Sequence, residues 1–98
     1  MSKEIEITNL LLAALLETGG ASVTDVIPKT RYSVVKLDIS HFSKDALSSK
    51  VMRLSRVIDR TEDPDELKHI FSASMLGEME DRYVRLKRRV VKERSAKC

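Results

Sequence analysis

At 98 residues and 42% apolar content, the chain has room for one small domain spanning 1–98 and too much apolar side chain for a disordered segment. Two Phe, two Tyr and no Trp make any core aliphatic, and the single cysteine, Cys98, excludes an internal disulfide and suits a reducing, cytoplasmic (intracellular) compartment. The net charge of +3 conceals a division: residues 82–98 hold eight basic residues and one acid, net +7, and the other 81 hold ten basic and fourteen acidic, net −4.

The first predicted element lies in Met1 to Thr18, around the run Leu10-Leu11-Leu12-Ala13-Ala14-Leu15-Leu16. This run is too short for a bilayer, which needs about 20 apolar residues. Its acidic flanks, Glu4, Glu6 and Glu17, argue against a signal peptide, and no membrane contact is expected. A buried helix starting near Ser2 or Thr8 and stopped by Gly19-Gly20 fits better. Leucine on more than one face places it at the centre of a core or of a dimer interface.

In Ala21 to Arg31, Ser22 or Thr24 can cap a very short helix through Asp25, Val26 and Ile27, which Pro28 stops. Lys29-Thr30 lacks the glycines of a phosphate loop. From Tyr32 to Ser40 the period changes, with Val35, Leu37 and Ile39 alternating with Lys36 and Asp38, the pattern of a half-buried strand. Its backbone must pair with a weakly marked strand in Glu4–Thr8 or Ala21–Thr24, or with a second copy of itself.

Ser43 then caps a helix over Lys44 to Asp59, with Leu47, Val51, Leu54 and Ile58 inward. Ser49, Arg53, Arg56 and Arg60 fall opposite, with Lys50 beside them. Such a face can reach phosphates or fork onto guanine, or it can simply be solvated. A longer helix is predicted from Asp63 to Arg94. Asp63 caps it, Pro64 occupies the first position, and Asp65 and Glu66 meet the positive end of the dipole. Met79, Tyr83, Leu86 and Val90 form one apolar seam, proposed at this level as a dimer interface. Arg82, Arg85, Arg89 and Lys92 lie opposite, and with Arg88 and Arg94 they make a phosphate-binding candidate. Gly77 is the expected weak point inside this helix.

Catalytic chemistry is not visible. His41 and His69 stand apart, and no His, Cys, Asp or Glu spacing marks a metal site. Glu78, Glu80 and Asp81 read as a solvated patch, and Met52, Met75 and Met79 as core filler. The expected protein is therefore non-enzymatic, without metal or cofactor. Its expected class is mainly α with one β-strand, winged-helix-like or ribbon-helix-helix-like. As a homodimeric helix-turn-helix regulator or architectural protein it would bind nucleic acid, DNA ahead of RNA. The alternatives are an assembly subunit docking on a protein partner through its long helix, and RNA binding by the arginine-rich tail.

Overall fold

The computed structural model describes residues 3–42 and 52–96. Among these residues three strands, β1 (Glu4–Ile7), β2 (Ser22–Pro28) and β3 (Ser33–Asp38), and three α-helices, α1 (Leu10–Thr18), α2 (Met52–Ile58) and α3 (Ala73–Ala96), follow one another as β1-α1-β2-β3-α2-α3. The sheet order is β1-β3-β2, and both pairings with β3 are antiparallel. β1 and β2 therefore run parallel with β3 between them, the split β-α-β arrangement.

This architecture overturns the expectation of a mainly helical domain with one strand. Both edges of β3 are taken within the chain, so β3 cannot form the intermolecular ribbon of a ribbon-helix-helix. The segment expected to form a stunted helix is β2, so among the described residues the helix pair that a winged helix requires is missing ahead of α2. The reason lies at Thr24, the extra residue where the register slips between Val23 and Asp25. That bulge lets Val23 face Leu37 and Val26 face Val35 although the two valines stand three apart, a helical spacing.

The inner sheet face carries Ile5, Ile7, Val23, Val35 and Leu37 into the core. The outer face places Lys36 across from Glu6 on one side and Asp25 on the other. α1 lies against the inner face, and every residue from Leu11 to Leu16 is buried, because sheet, α2 and α3 all contact this helix. Asn9 caps it, its Oδ1 accepting from the N–H groups of Leu11 (2.9 Å) and Leu12 (3.1 Å). The Asn9 Nδ2 donates to the Ile58 carbonyl (2.8 Å), which ties the start of α1 to the end of α2. Gly20, at φ 116°, ends α1 in a left-handed cap. Its N–H donates to the Glu17 carbonyl and that of Ala21 to the Leu16 carbonyl, satisfying the last carbonyls of the helix.

The long helix expected from Asp63 is two pieces. Asp63 caps a 3-10 turn over Pro64–Leu67, and the chain restarts at Ala73 with Ser72 Oγ accepting from the Met75 N–H (3.2 Å). Leu67 and Phe71 both reach the core, and the break falls at Ser72 rather than Gly77, which sits inside α3. Among the described residues no helix is long and apolar enough to cross a membrane.

α3 packs on α1 and β2. Met79 (0% exposed), Leu86 and Val90 are buried there and Tyr83 half-buried. The seam assigned to a dimer interface is thus covered by the chain's own elements, because α1 offers an apolar surface on more than one side.

Candidate nucleic-acid interface

With its seam facing inward, α3 directs its cations to its flanks. At about 100° per residue, Arg82, Arg85, Arg89 and Lys92 fall within about 80° of arc, and Arg88 borders them. This stripe runs past the C-terminal end of α1, where the Arg82 guanidinium comes within 4.0 Å of the Glu17 carboxylate. Burial pushes the Glu17 carboxyl above its usual range, opposed by the charges of Arg82, then Arg85 and Arg89. The charged form of Glu17 is therefore disfavoured in the fold. The stability this group contributes is full below its unfolded pKa and lost as the pH rises through the raised value.

Arg85 pairs with Asp81 at 2.7 Å, four residues back, in an exposed contact. Arg88, Arg89 and Lys92 are exposed and make no ion pair with any described residue. Lys87 turns to the other flank, its Nζ 5.1 Å from the centroid of the Tyr83 ring.

Arg94, expected to contact phosphate, does something else. Its Nη2 lies 3.2 Å from each of the Lys29 carbonyl, the Tyr32 carbonyl and Ser33 Oγ. It fastens the end of α3 to the β2–β3 turn, itself closed by the Lys29 N–H donating to the Tyr32 carbonyl (2.8 Å). Arg94→Ala is expected to lower the unfolding free energy by about 1 kcal/mol while leaving the salt dependence of any DNA binding unchanged. Urea denaturation and salt titration of the variant check the two halves.

Arg56 and Arg60 are exposed on α2 and the turn after it, on an element separate from the stripe. With the helix-turn-helix frame gone, α2 no longer has the setting of a recognition helix. Ser49 and Lys50 lie outside the described residues, as does the side chain of Arg53. No protein-family model, curated protein or solved structure matches this chain.

A groove of about 760 Å³ opens on the Lys87 flank of α3. The start of α1, the β2–β3 turn and the turn after α2 supply its other walls, bringing Arg31 and Tyr32 near Lys87 and Val91. The sequence pointed to these residues only weakly. Lys29, Arg31 and Tyr32 put an aromatic among cations at one turn, but their approach to Lys87 is purely tertiary. Among the described residues no group of three or more His, Cys, Asp or Glu could hold a metal ion.

Proposed function

We propose that this chain binds duplex DNA through the basic flank of α3, contacting phosphates rather than reading bases. What supports the reading is an arrangement a solvated helix avoids. Arg85 and Arg89, and Arg88 and Lys92, are like-charged pairs four residues apart, and of the four only Arg85 has a carboxylate partner, Asp81, among the described residues. Each such pair costs an isolated helix roughly 0.2–0.5 kcal/mol. An external polyanion turns that repulsion into attraction.

The dimensions suit such a ligand. From Arg82 to Lys92 the stripe extends about 15 Å at 1.5 Å per residue, which matches about four phosphates of one strand at 3.4 Å of axis each. B-form DNA favours the contact because its wide groove admits a helix, whereas the deep groove of an RNA duplex is too narrow. Contacts confined to phosphates suit an architectural or regulatory role that positions duplex without selecting sequence.

The test is a salt titration of binding to duplex DNA, duplex RNA and a single strand. Duplex DNA should bind with a slope of log affinity against log salt of roughly −4, about −0.9 for each of four to five contacts. Absence of duplex DNA binding at low salt would sink the proposal.

A further inference from the structure

We infer that the groove beside Tyr32 holds an unpaired nucleotide of the DNA whose duplex portion lies on α3, so that the chain prefers duplex with a single-stranded extension. This deepens the DNA-binding reading and rests on it. The observation that carries it is the Tyr32 side chain, 52% exposed at the lip of a groove of about 760 Å³. Its ring has no hydrogen bond, ion pair or ring contact with any described residue. An aromatic residue exposed at a groove can serve as a stacking platform for any base. The volume is within the common range for a small-ligand pocket.

The charges around the ring suit a nucleotide better than an apolar ligand. Arg31 adjoins Tyr32 in the chain, and Lys87 lines the same groove from α3, so the phosphates flanking a stacked base meet cations. Asp59 and Glu62 supply the wall from the turn after α2. Carboxylates repel phosphate there but accept hydrogen bonds from an exocyclic amino group, as on cytosine. The groove thus offers a nucleotide both cations and carboxylates.

Tyr83 cannot take the stacking role. Its hydroxyl donates to the Glu62 carbonyl (3.1 Å), and Lys87 already occupies its ring face. Stripe and groove lie on the two flanks of one helix, about 10–12 Å across. An extension leaving a duplex held on the first flank can therefore bend round to the second.

The experiment is fluorescence anisotropy on the full chain with three labelled probes: a blunt DNA duplex, the same duplex with a five-nucleotide dC overhang, and the same duplex with an RNA overhang. The wild type should bind the dC-overhang probe about tenfold more tightly than the blunt one, the scale of one base stacked on an aromatic ring. Tyr32→Ala should erase that ratio without changing blunt-duplex affinity, and Tyr32→Phe should restore it. Lys87→Gln should weaken only the overhang probes. Circular dichroism confirms that each variant folds. Equal affinity for blunt and dC-overhang duplex, an unchanged ratio in Tyr32→Ala, or a gain confined to the RNA overhang overturns the inference. Failure of the duplex reading looks different, because the blunt probe then does not bind at low salt whatever residue stands at 32.

Discussion

Replacing Leu86 with aspartate is expected to abolish the cooperative unfolding transition rather than release a folded monomer from a dimer. Leu86 is buried within its own chain, beside Met79 and in the cluster that includes Leu11, Leu15 and Leu37. A carboxylate there would be desolvated with no cation in the cluster to pair with, at a cost of several kcal/mol. Domains of this size hold only about 5–15 kcal/mol in total. The milder Leu86→Ala should remain folded and lose about 2–5 kcal/mol by leaving a cavity. Urea denaturation followed by circular dichroism reads both. If Leu86→Asp stays fully folded and merely halves the mass seen by light scattering, the seam is an interface between copies and its burial against α1 is not what holds the fold.

The second large effect concerns binding. Changing Arg88, Arg89 and Lys92 together to glutamine should flatten the salt slope on duplex DNA by about 2.7, since each phosphate contact contributes about 0.9. All sequences should weaken alike, because phosphate contacts carry no base information. The substitutions also relieve the like-charged pairs on α3, so the variant should be no less stable than the wild type. That combination, weaker binding with unimpaired folding, separates a binding surface from a structural one. Arg94→Ala should show the reverse pattern, with reduced stability and an unchanged slope. A triple variant that keeps the wild-type slope would remove these three residues from the interface and overturn the proposed phosphate-binding stripe.

The same contrast governs the assembly reading. A long helix with an unpartnered apolar seam would suit docking on another protein, but here α1 and β2 cover that seam. What α3 leaves to solvent is mostly charge, with Val84 and Val91 among the large apolar residues exposed on it. The surface that remains to be explained is electrostatic.

Local chemistry was enough to read several elements. Leucines on more than one face of Leu10–Leu16 announced a central helix, and Gly19-Gly20 its stop, because a left-handed cap favours a residue without a side chain. The alternation through Val35, Leu37 and Ile39 marked a strand with one apolar face. The segregation of charge placed the cations on the last helix. The period of Met79, Leu86 and Val90 showed that one face of this helix would be covered.

What covers that face was decided by tertiary structure, since periodicity records an apolar side without naming its neighbour. Strand identity at Glu4–Ile7 and Ser22–Pro28 was decided in the same way. Their hydrogen bonds go to β3, up to 34 residues away in the register of Glu4 with Asp38, and a bulge at Thr24 disguised the second strand's period. The break falls at Ser72, whose Oγ caps the start of α3, and Arg94 joins the β2–β3 turn only because α3 ends beside it. Propensity and pattern act over a few residues, whereas sheet pairing and side-chain capture act across the whole chain, so this sequence by itself determined its faces and charges and the fold determined what each of them meets.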